Sequence, residues 1–227
     1  MTVLKAKGQQ TTARQGVSEG MDVYLRALRD GTMVSSDWRQ AAIMGGFGFQ
    51  IICGAFSTGK VGGGNGTVIK NTEPELLLSV PNGTCVLPMR ISVQVQTGAP
   101  TDAQEVELLV AVDQDKAWDA VGASTAATCY NLNTLSAKAS ACTGRQAFTS
   151  SMTTPVLDLE LARKVAQYDI VTAGTLGVIL DLVYEPLTLP IINGPAMIIV
   201  YFGGATATVG GYAQMEWLEF PENIFSV

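Results

Sequence analysis

Residues 75–97 read ELLLSVPNGTCVLPMRISVQVQT, and the fold turns on them. Residues 75–80 are a short apolar run, Pro81-Asn82-Gly83 supplies turn chemistry, and further on Ile91, Val93 and Val95 alternate with Ser92, Gln94 and Gln96. A period of two places these sets on opposite faces, as in a strand with one side buried and one wet. Two such runs across a Pro-Asn-Gly turn predict a β-hairpin.

The same punctuation continues on both sides. Residues 104–113 (QEVELLVAVD) form the next strand, joined by a Gly-Ala-Pro-Thr-Asp turn. Residues 114–153 are rich in small residues and hold no sustained period, which is too long for an ordinary connection and predicts a functional or interface loop. Strands are expected again at 155–161, 174–185, 196–202 and 212–220, where Pro221 ends the last; residues 162–171 are ambiguous. Before residue 75, GFGFQIICGAF (46–56) is strand-like and STGKVGGGNG (57–66) is a glycine-rich loop. Earlier still, MDVYLRALRD (21–30) sets Val23, Leu25 and Leu28 against Arg26 and Arg29, a short amphipathic helix stopped by Gly31. A second helix is expected over SSDWRQAAIM (35–44), with Ser35 or Ser36 as N-cap and Gly45-Gly46 as its end. Residues 1–20 read as a polar arm.

About eight strands without helical crossovers pair antiparallel, and two sheets face to face bury the apolar side of each. The expected class is all-β: an antiparallel eight-stranded β-sandwich of jelly-roll type preceded by two short α-helices. It stands ahead of an immunoglobulin-like sandwich, whose Cys-Trp-Cys spacing is missing, and of a closed barrel. The expected division is residues 1–45 as N-terminal arm and two short helices, and 46–227 as the jelly-roll domain with its long loop at 114–153.

Composition narrows the chemistry. Of 227 residues 47% are apolar and only 15% charged, against about 25% charged in an ordinary soluble protein. So few charges predict that apolar surface ends up against other subunits. Histidine is absent, which removes His-based acid/base catalysis, Ser-His-Asp and Cys-His nucleophile pairs and imidazole metal sites. Residues 1–60 carry a net charge of +3 and residues 61–227 one of −9. An acidic body without a basic, aromatic-laced stripe argues against sequence-specific nucleic-acid reading. Lys5, Lys7 and Arg14 in the arm are the candidate contacts to genome phosphate or to a neighbouring subunit.

Cys53, Cys85, Cys129 and Cys142 form no C-x-x-C pair, so zinc is not expected. Cys53 and Cys85 sit in apolar runs and read as buried thiols, whereas Cys129 and Cys142 are a candidate disulfide closing a loop. The start, MTVLKAKGQQTTARQG, has no apolar h-region, so no secretory signal is expected. Residues 186–215 carry no charge, but Pro190, Pro195 and five glycines make a buried strand with turns a better expectation than a transmembrane segment. Asn65 and Asn82 open Asn-Gly-Thr triplets that read as turns.

The remaining constellations are weak. GAFSTGK (54–60) matches a phosphate loop, yet Val61 stands where Ser or Thr belongs and glycines follow where a helix must begin. Asp113, Asp115 and Asp119 could attract calcium but lack the other oxygen donors. Glu105 with Glu107, Asp158 with Glu160, and Glu216 with Glu219 read as a solvated sheet face rather than as paired acid and base. Asp181, inside GVILDLVYE, should be edge-exposed or paired with Arg90 or Arg163. No catalytic, cofactor-binding or metal residue is therefore assigned. Tyr24, Leu28, Trp38, Trp118 and Tyr130 are the candidate subunit-interface residues, because aromatic side chains favour interface centres.

Three stretches carry a resemblance: the LRALRDGT helix, TEPELLLSVPNGTCVLPMRISVQVQ, and GPAMIIVYFGG with YAQMEWLEFPE. Together, across most of residues 22–221, they resemble small jelly-roll structural proteins of bacteriophage particles, including uncharacterised environmental phage proteins. The resemblance implies a virion protein made in the host cytoplasm, a self-assembling capsid or capsid-decoration subunit with no catalytic activity and no cofactor. Its partners would be further copies of itself and other virion proteins. The alternative is a glycan- or receptor-binding β-sandwich module of a phage fibre or vertex, using the loops at 57–67 and 114–153.

Overall fold

The computed structural model describes residues 37–55, 58–62, 69–96, 104–168, 178–205 and 209–222. Through them the chain runs α1 (Trp38–Met44), β1 (Gly48–Cys53), β2 (Lys60–Val61), β3 (Leu76–Val80), β4 (Thr84–Gln96), β5 (Gln104–Asp113), β6 (Thr125–Ala127), β7 (Tyr130–Asn131), β8 (Thr143–Gln146), β9 (Leu159–Tyr168), β10 (Val178–Tyr184), β11 (Ile192–Asn193), β12 (Ala196–Gly204) and β13 (Gly210–Pro221). The fold is all-β and sandwich-like, with two antiparallel sheets. One has the order β10-β4-β13-β1-β7, with β11 also on β4 and β2 also on β13; the other has the order β6-β8-β3-β12-β5-β9.

The predicted hairpin is not formed. β3 pairs with β12 and β8, and β4 pairs with β13, β10 and β11, so Pro81-Asn82-Gly83 is a corner where the chain changes sheets. Turn residues dictate reversal, and Gly83 at φ +79 supplies it, but they do not choose the strand's neighbour. Burial does. All five positions of β3 are buried, so β3 needs a sheet covered on both sides, whereas the distal half of β4 alternates buried and exposed. β4 and β5 likewise lie in different sheets, and the Gly-Ala-Pro-Thr-Asp turn itself falls outside the described residues.

Between the sheets Ile51, Ile91, Val93, Met215 and Trp217 from one side meet Leu76, Leu78, Leu108, Val110, Ile198 and Val200 from the other. Each outer face is partly covered as well. Leu77, Leu109, Met197, Ile199 and Tyr201 lie under Phe148, Met152 and Trp118 of the 114–153 excursion. Cys85, Leu87, Met89 and Leu218 lie under Ala42 and Ile43 of α1. The central strand β12 is consequently buried at all nine positions. That is the uncharged stretch mistakable for a span, and among the described residues no helix is long and apolar enough to cross a membrane.

Several boundaries differ from expectation. α1 is capped by Asp37, which accepts from the Arg39 backbone N–H at 3.3 Å, and not by Ser35 or Ser36, which lie outside the described residues, as does the predicted helix at 21–30. The strand predicted at 155–161 is β9, which starts at Leu159 and absorbs the ambiguous segment. A bulge opposite Val110/Ala111 breaks the alternation that would have marked it. The excursion holds three short strands. β8 extends one sheet beyond β3 and carries β6, while β7 extends the other beyond β1, and strands of two to four residues are too short to show a period.

Candidate functional site

The structure offers two surfaces and one clamp. The first surface surrounds α1. Arg39 Nη2 donates to the Leu187 carbonyl at 3.3 Å and Asn133 Nδ2 to the Met44 carbonyl at 3.0 Å, so the helix is tied to the β10–β11 and β7–β8 connections. Leu132 and Leu189 from those connections pack beneath it. Around this seat the apolar side chains turn outward: Trp38 is 51% exposed, Met44 57%, Leu135 96%, Leu187 99% and Ile191 51%. Leucines almost wholly in water gain nothing within the chain that carries them. Of the candidate interface residues, Trp38 belongs to this rim, and Tyr24 and Leu28 lie outside the described residues, as do Lys5, Lys7 and Arg14.

Trp118, another candidate interface residue, is half-buried and makes contacts within its own chain. Its ring meets Phe148 edge-on at 6.3 Å, Arg145 lies over it at 4.4 Å, and its Nε1 donates to the Val121 carbonyl at 2.9 Å. It is a lid on the chain's own second sheet.

The clamp is built from acids that resembled a calcium site or a solvated face. Asp113, 1% exposed, accepts from the backbone N–H of Asp115 at 3.3 Å and of Val156 at 2.9 Å. Asp158 accepts from the Gln114 N–H at 3.1 Å, and Asp119 from the Thr153 hydroxyl at 2.7 Å and the Val121 N–H at 3.1 Å. Three of these bonds, Asp113 with Val156, Asp158 with Gln114 and Asp119 with Thr153, cross the neck of the excursion and hold its two ends together. The Thr153 hydroxyl, with smaller help from the Val121 N–H and Lys116, lowers the Asp119 carboxyl to about 2. Among the described residues no three Asp, Glu or Cys gather as a metal site.

Several of the other acids are engaged too. Arg163 on β9 bonds Glu107 on β5 and Glu160, the latter at 2.7 Å, and the Arg163 guanidinium draws the Glu160 carboxyl below the usual range. Asp181 is exposed and takes Lys164 at 3.4 Å, rather than Arg90 or Arg163, because β10 is an edge strand and Arg163 is already held by two carboxylates. Glu219 is not on a wet face: it is 8% exposed and accepts from the Ser140 hydroxyl at 2.6 Å, the Ala141 N–H at 2.7 Å and Trp217 Nε1 at 3.3 Å.

The candidate bridge between Cys129 and Cys142 is not formed in the structure, where all four cysteines are free. Continuing the β6–β8 register two places beyond Ala127↔Gly144 sets the two cysteines opposite each other. Cys129 Sγ, however, is directed at the Cys142 carbonyl, 3.8 Å away. Burial pushes the Cys53 thiol up to about 12, and Cys85 and Cys129 to about 11. Burial and the nearby Glu219 raise Cys142 further. Protonated thiols of this kind are poor nucleophiles. Of the phosphate-loop match, Lys60 lies in β2 paired to Gly211, and the residues where a helix would begin, 63–68, lie outside the described residues.

The second surface is a cleft of about 560 Å³ lined by Ile52, Gly54, Ala55, Ala126, Thr128, Tyr130, Gln146 and Tyr212. It forms where β1 and β13 meet the short strands β6, β7 and β8 of the excursion. Tyr130, 55% exposed, stands on one wall because β7 pairs with β1 at Gln50. Gly54 adopts φ +106, a conformation that suits glycine, and a Cβ there would press on the Tyr212 ring at 2.7 Å. The Gly54 N–H donates to Gln146 Oε1 at 3.3 Å. Tyr130 was legible as an exposed aromatic; Tyr212 and Gln146 were not, since nothing local joins residues so far apart in the chain. Compared with known proteins, the chain matches no protein-family model, no curated protein and no solved structure.

Proposed function

We propose that the chain is a virion structural subunit, a self-assembling capsid or capsid-decoration protein with a jelly-roll fold and no catalytic role. The observation that carries this reading is the strand order. Among the eight longer strands, β1-β13-β4-β10 and β3-β12-β5-β9 are the two four-strand rows, and the chain changes sheets at every step except β5 to β9. This alternation supports the jelly-roll reading, because a double Greek key, an architecture used by viral shells and lectins, winds between its sheets in this way. The exposed rim around α1 supports self-association, because obligate interfaces are more apolar than ordinary surface and centre on aromatic anchors such as Trp38. Its partners are further copies and other virion proteins, and its location is the virion.

Light scattering on a sizing column, followed by negative-stain microscopy of the same peak, tests this. The expected outcome is a trimer or closed particles that grow with concentration. The double variant Trp38→Asp/Leu187→Asp should remain folded, with an unchanged unfolding midpoint, and elute as a smaller species. A wild-type protein that stays monomeric and particle-free at high concentration overturns the proposal.

A further inference from the structure

The cleft beside Tyr130 has the composition of a binding site, and its contents indicate the class of ligand. Among the described residues none that line it is charged, so a phosphate, carboxylate or ammonium group would enter without a counter-charge. Its polar groups are three hydroxyls, on Thr128, Tyr130 and Tyr212, and the Gln146 amide. A hydroxyl both donates and accepts, and an amide offers one group of each kind. Gln146 is already oriented, because its Oε1 accepts from the Gly54 N–H and so leaves its NH₂ as a donor pair. Among the described residues the three hydroxyls have no protein partner.

Apolar surface accompanies these groups. Two phenol rings, Ile52, Ala55 and Ala126 present carbon surface in the same space, and Ile52 is 44% exposed. A ligand suited to the cleft therefore has many hydroxyls, no charge, and a flat C–H face to lay on an aromatic ring. Sugars have that combination. The volume lies within the range of small-molecule sites and accommodates one or two sugar rings. The walls are also preorganised: Tyr212 projects from a strand inside its sheet, its ring is seated against Gly54, and Tyr130 is held by the β7–β1 pairing. Rigid aromatic walls cost little ordering on binding.

We infer that the cleft formed by Tyr130, Tyr212, Thr128, Gln146 and Ile52 is a binding site for neutral saccharides. The site lies within one chain and requires no second subunit, so it stands or falls separately from assembly. An array of neutral and sialylated glycans, followed by saturation-transfer NMR with the methyl glycosides of glucose, galactose and N-acetylglucosamine, provides the test. At least one neutral sugar should bind. Tyr130→Ala should weaken it by about tenfold through loss of the ring face, and Tyr212→Phe should weaken it less, through loss of one hydroxyl. Trp38→Ala, on the other surface, should leave binding unchanged. Tyr130→Phe, which keeps the ring, guards against misfolding and should bind better than Tyr130→Ala. Absence of any neutral ligand for the folded protein overturns the inference. So does binding confined to sialylated glycans, or binding indifferent to Tyr130→Ala.

Discussion

Glu219 accepts three hydrogen bonds while 8% exposed, and two of its donors belong to residues 140–141 of the excursion. Removing it leaves the buried Trp217 indole N–H without its acceptor, which costs about 1–3 kcal/mol, and frees the Ala141 N–H at a site water can reach. Glu219→Ala should therefore lower unfolding stability by about 1–3 kcal/mol, measured by urea titration, and Glu219→Gln by less, since it keeps one acceptor oxygen. An alanine variant as stable as wild type would contradict this account. The inward position of Glu219 was legible, because period two aligns it with Ala213, Met215 and Trp217. The general rule that strand carboxylates face water hid it. For Asp113 nothing local could have helped, since Val156, whose amide it holds, is 43 residues away.

At the scale of elements, the neck of the excursion makes a pH-dependent clamp. The Asp119 carboxyl is lowered from 3.8 to about 2, chiefly by the Thr153 hydroxyl. A depressed carboxyl contributes stability above its unfolded value and loses it as pH falls through the folded one. The gap in thermal midpoint between wild type and Asp119→Asn should thus be full at neutral pH, shrink as pH falls below 3.8, and close once it has passed about 2. A gap unchanged across that range would dissociate Asp119 from the neck. Strands with regular alternation, such as β4 and β13, were legible in the sequence. Their neighbours were not, because Pro81-Asn82-Gly83 reverses the chain equally well within one sheet or between two. β9 was misjudged at its bulge, and β6, β7 and β8 draw their stability from the edges they join rather than from a pattern of their own.

Over the whole molecule, the shortage of charge has two sources. Sequence reasoning assigned it to subunit interfaces, and the leucines at 96% and 99% exposure keep that source open. Much of it, however, belongs to strands that meet apolar neighbours on both faces: β3 at five positions and β12 at nine. Such strands lose the alternation of a one-sided sheet, and layers outside the sandwich are what make this possible here. β12 should accordingly hold the slowest-exchanging amides, opening only with global unfolding, while the edge strands β9 and β10 exchange faster. Hydrogen exchange read by mass spectrometry checks this, and early exchange in residues 196–204 would count against a doubly covered centre.

The position of β12 and β13 along the chain has a further consequence. Each occupies the middle of its sheet, β12 between β3 and β5 and β13 between β4 and β1, yet both follow every other strand in sequence. During synthesis on the ribosome neither sheet can be completed until residues 196–221 have emerged. The stretch AMIIVYF, uncharged and rich in β-formers, is the kind of segment that recruits foreign strands when left uncovered. Made late, it meets two waiting edges of its own chain, those of β3 and β5, and the interval in which a neighbouring nascent chain could capture it is short.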